Sequence, residues 1–391
     1  MYSPPPNSLH SNSGAPTSVL FDELITEILS WLPVKNLMQF KCVCKSWTTL
    51  ISHDPSFAKL HLYRSRRNTH LALFSDQLTS DTKEFNVIIP IPVSRLLESP
   101  SRNIANPNDP YYSISNTDCR FIVGSCNGLL CLHGNSLPTE PHNVWLRIWN
   151  PATNTLSEKI GYSTKFLKLT FGYDNSNDTY KVVSYHANKV KVFSLSDHVW
   201  RDIQSFPIVP QPFMRDGVYV SGSVNWLAIQ NMTEYEWSDV TIEQFVIISL
   251  ELGTETYQQL LPPSGFVEVP TVEPSLIVLM DCLCFSHNLK GTYFVLWKMM
   301  EFGVQESWIP FLKISFQDLQ IHYEDLLFVL PLYVSKISDT IIMVSNQDPC
   351  DNQHPFVYNW KDKRVEHIKS VNNRIWWYYA MDYVESLVST S

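Results

Sequence analysis

The sequence predicts an α+β multidomain chain: a small all-α head of three helices, followed by an all-β body built as a six-bladed β-propeller. Three observations carry this reading. Between residues 19 and 62 apolar residues recur at the three- and four-residue spacing of helices. From Thr69 the period changes to alternation, as in THLALFSD and EFNVIIPIPV, the pattern of half-buried strands. Beyond Cys119 an apolar run, a polar turn and a second strand recur at residues 146, 190, 245, 293 and 355. Repeats of roughly 40 to 50 residues with about four strands each point to propeller blades.

In chain order, residues 1–18 are rich in Pro, Ser and Asn, carry no charge, and read as a disordered lead. In the first helix Leu24, Ile25, Ile28, Leu29 and Leu32 share one side, and Asp22, Glu23, Thr26, Glu27 and Ser30 the other. Pro33 stops it. A second apolar face follows in Leu37, Phe40, Val43, Cys44, Trp47, Leu50 and Ile51, with Lys35, Lys41 and Lys45 opposite. No Pro or Gly lies between Leu37 and Ile51, so periodicity allows one continuous helix there, ended by Asp54 and Pro55. About 45 residues this apolar cannot enclose their own surface, so part of it must face a partner, either the rest of the chain or another protein.

Leu20, Glu23 and Leu24, then Leu32 to Lys35, then Cys42 to Trp47 stand at the spacing of the F-box in large plant families, and the stretch resembles that module. Phe21 stands where the family has proline. The resemblance implies a helical unit that docks on the Skp-type adaptor of a cullin ubiquitin ligase, with a bend between Phe40 and Val43. The positions matching the family's docking residues are Leu20, Leu24, Ile28, Leu32, Pro33 and Val34. On this reading the F-box spans 19–67, and cullin and RING subunits are partners through the adaptor.

Residues 63–68 form a basic joint, and the body begins at 68 or 69. Each of the five recurrences is preceded by further apolar strand sequence, such as FIVGSCNGLLCL and GVYVSGSVNWLAI. The sixth blade is expected to close by pairing the C-terminal WWYYAMDYVESLV with the strands at 69–93, which removes exposed sheet edges. The alternative is a pair of packed antiparallel sheets. The blocks VGSCNGLLCL, WNPATNTLSEK, FGYDNSNDTYKVV and GSVNWLA resemble the F-box-associated domain, often labelled F-box/kelch-repeat, over 68–388. The paired glycines of kelch blades are absent.

Residues 19–67 hold seven Lys or Arg against four acids, whereas the whole chain carries a formal charge of −9. The head is basic and the body acidic, which argues against a nucleic-acid surface. No run reaches 18 apolar residues and no signal-peptide pattern opens the chain, so no membrane is expected, and the place of work is the cytoplasm and/or nucleus. No cofactor is expected. Asp174 to Asp178 begins like a calcium loop but has Thr179 and Tyr185 where the loop needs Gly and Glu, and reads as a β-turn. Gly124-Ser125-Cys126-Asn127-Gly128 reads as a tight hairpin, and Cys282 and Cys284 as one face of a strand. No catalytic constellation stands out.

The acidic insertion around Glu234, Tyr235, Glu236, Trp237 and Asp239 offers aromatics among acids for a basic segment of a protein substrate. Alternatively its rings fold back on the blade. The function expected is substrate recognition for a cullin-type (SCF) ubiquitin ligase. Alternatives are a scaffold without ubiquitin transfer, and a β-propeller oxidase or lectin.

Overall fold

A computed structural model describes residues 22–66, 68–78, 84–100, 114–115, 119, 121–136, 143–163, 168–210, 216–231, 237–346, 353–369 and 374–390. Leu20 and Phe21 therefore lie outside the described residues, as do Glu234, Tyr235 and Glu236. No helix among the described residues is long and apolar enough to cross a membrane.

The head contains α1 (Asp22–Leu29), α2 (Val34–Phe40), α3 (Lys45–His53) and α4 (Pro55–Ser65). The chain does bend between Phe40 and Val43, so the continuous helix that periodicity allows is broken into α2 and α3. Asp54 ends α3 and also starts a fourth helix. Its carboxylate accepts the backbone N–H groups of Ser56 and Phe57 at 2.8 and 3.1 Å, and Pro55 occupies the first turn, where its missing N–H costs nothing. Leu29, Leu37, Ile51 and Phe57 form a small core. Helix α4 clamps α1: Arg64 reaches Glu27 at 2.6 Å and lies over the Trp31 ring at 4.6 Å, while His61 bonds the Leu32 carbonyl at 2.9 Å.

The body is a closed ring of six antiparallel sheets among the described residues. Their innermost strands are Phe121–Cys126, Lys168–Asp174, Val218–Val220, Ser275–Leu279, Phe328–Ser335 and Arg374–Val384, and each touches the next around the axis. We number the blades one to six in that order. Blade one carries a fifth strand, Ile160–Ser163. The repeats at 146, 190, 245, 293 and 355 fall in the third strand of blades one to five, which is why their intervals track the blades. Blade six is the predicted closure: Arg374–Val384 pairs with Thr69–Leu78, which pairs with Glu84–Pro92.

The body has no single core. Six apolar clusters sit between successive blades, such as Phe171 and Val182 with Cys131 and Ile148 between blades one and two, and Trp377 with Ile342 and Leu330 between five and six. The polar turns have a recurring local cause. Asn150, Asp174, Glu251 and Asn359 each accept hydrogen bonds from the backbone N–H groups two and three residues on. Each of these turns ends on a residue of positive φ: Asn154, Asp178, Glu255 and Lys363. The expected hairpin at Asn127-Gly128 is present with φ of 50° and 80°, as a type I′ turn requires. A Cβ at Gly128 would sit 2.2 Å from the Cβ of Ser386, so the position is closed to other residues.

The head and the body are laced by the C-terminal tail. Glu385 accepts the Val34 N–H at 2.9 Å and Leu387 joins the head's core, while Ser386 and Val388 lie against the body. The Asn150 side chain donates to the carbonyls of Ser386 and Val388, at 2.9 Å each. Two exposed ion pairs add to this, Lys59 with Asp178 and Arg66 with Asp281. Such pairs contribute at most about 1 kcal/mol each. All these contacts fall on one face of the ring, where first strands end and second strands begin.

Candidate functional site

Two surfaces stand apart from the structural contacts. The first is on α1. Leu24 and Ile28 are one turn apart and 48% and 54% exposed, and Trp31, one further turn along, is 48% exposed. Ile25 and Leu29 point the other way into the head's core, so the apolar side of the helix divides between core and solvent. Pro33 is exposed and Leu32 half-buried. Val34 corrects the sequence expectation: it is fully buried, with its N–H held by Glu385 of the tail, so its side chain cannot reach a partner. Trp31 was missed. Its spacing of three from Ile28 was the available signal. In the turn between α2 and α3, Val43 is 60% exposed beside exposed Cys42 and Cys44.

Of the insertion residues, Trp237 and Asp239 are described. Trp237 folds back: its ring packs edge-on against Phe245, and its indole N–H donates to the Pro270 carbonyl at 2.7 Å. Asp239 is exposed.

The second surface is the axial channel, a cavity of about 810 Å³ lined by the inner strands of all six blades. At the head's end Arg66 pairs with Asp281 at 3.0 Å, and at the opposite mouth Lys168 pairs with Asp216 at 2.8 Å. Asp382 is open to the lumen yet surrounded by its wall, and that enclosure pushes its carboxyl up to about 6, with Asp281 adding to the rise. Thr170 is buried in the wall, its hydroxyl without a hydrogen-bond partner. A bulge opposite Leu73 sets four residues, 377–380, against one, and turns Tyr378 and Tyr379 toward the channel.

At the end away from the head the rings are exposed. Phe121 and Tyr379 are 43% and 40% exposed with centroids 6.2 Å apart, and Phe121 stacks on Phe74 at 5.7 Å and on His133 at 6.2 Å. Burial pushes the thiols of Cys126 and Cys131 far up, so neither is a nucleophile at neutral pH. Among the described residues no group of three or more His, Cys, Asp or Glu is placed to hold a metal ion.

The F-box domain family matches residues 18–59, and the F-box associated beta propeller domain family matches residues 91–390. An F-box/kelch-repeat protein of Arabidopsis thaliana is 30% identical over 334 residues, covering 80% of this chain and 82% of its own length. A putative F-box protein of the same plant is 29% identical over 301 residues, with 73% and 60% covered. Another Arabidopsis F-box protein is 27% identical over 301 residues, with 72% and 87% covered. With a helical head of matching sequence and six blades closed by the C-terminal strand, the chain belongs to the F-box proteins that carry an F-box-associated β-propeller.

Proposed function

We propose that this chain is the substrate-recognition subunit of a cullin-type (SCF) ubiquitin ligase, working in the cytoplasm and/or nucleus. The head, ending near residue 67, docks on a Skp-type adaptor and, through it, on cullin and RING subunits; the body holds a protein to be modified. The observation that carries this reading is the pair Leu24 and Ile28 on α1, continued by Trp31 just beyond it, large apolar side chains that each keep about half of their surface exposed. Each large aliphatic gains roughly 1.5 to 3 kcal/mol gross on burial, offset by the cost of association. Leu20 and Pro33 extend the docking set on either side; Leu32 contributes its exposed part.

The chain itself supplies no chemistry in this scheme. It supplies proximity, raising the local concentration of substrate lysines near activated ubiquitin. The test is affinity purification of the full chain with proteasome activity blocked. A Skp-type adaptor and a cullin should copurify with the wild type and be absent from the Leu24→Asp, Ile28→Asp double variant, while proteins held by the body remain with both. A wild-type chain that captures no adaptor contradicts the proposal.

A further inference from the structure

The head reaches one mouth of the axial channel through Arg66, and among the described residues the other mouth carries exposed rings. Five charged side chains line the lumen among the described residues: Arg66, Lys168, Asp216, Asp281 and Asp382. Arg66 is taken by Asp281 and Lys168 by Asp216. Asp382 has no ion pair among the described residues, and it is the carboxylate left over. It lies toward the head's end of its strand, three residues beyond Tyr379. A group entering from the far mouth therefore passes the Lys168–Asp216 pair and Tyr379 first and meets Asp382 last, with Phe121 beside the mouth against Tyr379.

This order of surfaces selects a long side chain with an apolar stem and a cationic tip. Lysine and arginine cover apolar surface with their methylenes while keeping the charge apart. Aromatic faces attract the cation on its way in, and an enclosed carboxylate gains from a charge-assisted hydrogen bond. A cavity of about 810 Å³ is of the size that holds ligand groups.

We propose that the channel, entered from the face opposite the helical head, takes the ammonium or guanidinium group of a lysine or arginine side chain on the protein that the body captures, with Asp382 as its counter-ion and Tyr379 against its stem. This rests on the reading of the body as a substrate-holding surface. It puts the recognition site on the axis rather than on the acidic insertion that carries Trp237 and Asp239.

The full chain is tested on arrays of acetylated heptapeptides whose central residue is fixed and whose flanks are uncharged. Pools with central Lys or Arg should bind at least about tenfold better than the pool with norleucine, the loss expected for one charged hydrogen bond. Asp382→Asn should bring the ratio near one. Because that change leaves most of the chain's negative charge in place, a general attraction for bases would survive it. Tyr379→Ala, at an exposed ring, should lower the ratio several-fold and serves if Asp382→Asn fails to fold. Equal binding of Lys, Arg and norleucine pools, or a preference that both variants retain, overturns the proposal. So does spermidine that titrates a single Asp382-dependent site when the peptides do not bind, since the cation would then be a small polyamine. Adaptor capture by α1 is read in a separate experiment, so failure of the channel and failure of the ligase reading are told apart.

Discussion

Asp174 is fully enclosed at the turn of blade two, where one carboxylate does two jobs. It caps the turn through Ser176 and Asn177, and it pairs with Lys181 at 3.0 Å; Lys181 also donates to the Leu252 carbonyl at 2.6 Å and pairs with Glu255 at 2.9 Å in blade three. Burial pushes the Asp174 carboxyl up, but the hydrogen bonds from Ser176, Asn177 and Lys181 outweigh it and hold the group well below its ordinary value. Asp174→Ala should cost about 1 to 3 kcal/mol in urea unfolding at pH 7, because the turn loses its cap and the buried Lys181 ammonium keeps only Glu255 and the Leu252 carbonyl. A depressed carboxyl contributes stability above its unfolded value of 3.8, so the difference should shrink as pH falls below that. Asp382 runs the other way. Its carboxyl is raised to about 6, so the fold favours its protonated form, and that advantage is lost as pH rises from 3.8 to 6. Asp382→Asn should therefore melt at or above the wild type at pH 7, with the gap closing toward pH 4. At this scale the turn at Asp174 was legible from its Asp, Asn and Ser content. Its tie to the next blade was not, since Leu252 and Glu255 lie more than 70 positions on. Val34 was misread for the same reason: periodicity marks an apolar position without saying which surface covers it, and the group that holds it is 351 residues away.

The closing strand and the tail behind it are the elements on which the assembly turns. Arg374–Val384 is the inner strand of blade six, and residues 385–388 then alternate between head and body. Ending the chain at Arg374 should leave Thr69–Leu78 with a bare edge and open the ring between blades five and one, giving aggregation or loss of cooperative melting. A soluble truncation with unchanged far-ultraviolet dichroism and melting temperature would argue against a closed propeller. Glu385→Ala is the milder probe: exchange of the Val34 amide should quicken while melting of the body stays as in the wild type. The blades were legible because each repeats an alternating strand, a turn-capping side chain and a second strand. The bend between α2 and α3 was not legible from periodicity, since Cys42 and Val43 are ordinary helix-compatible residues, and it came only with the resemblance. The start of α4 was written at Asp54-Pro55, a pair that stops one helix and opens another.

For the whole molecule, the basic head, the acidic body and the ring's closure could be read from charge and repeat, whereas the seating of one on the other could not. That seating depends on single contacts such as Val34 with Glu385 and Arg66 with Asp281. It leaves Leu24 and Ile28 of α1 exposed and, among the described residues, leaves Phe121 and Tyr379 exposed at the channel mouth opposite the head. The proposed receptor role suits this arrangement, with the adaptor docked on the helical head and a substrate held on the ring, so that neither competes for the other's site. The most direct measurement is a calorimetric titration of the purified full chain with a Skp-type adaptor, wild type against Leu24→Asp with Ile28→Asp. The account predicts one-to-one binding by the wild type and a loss of at least about a hundredfold in the variant, the consequence of some 3 kcal/mol of forfeited burial. The body's melting should be unchanged. Equal affinity of the two chains for the adaptor would contradict it.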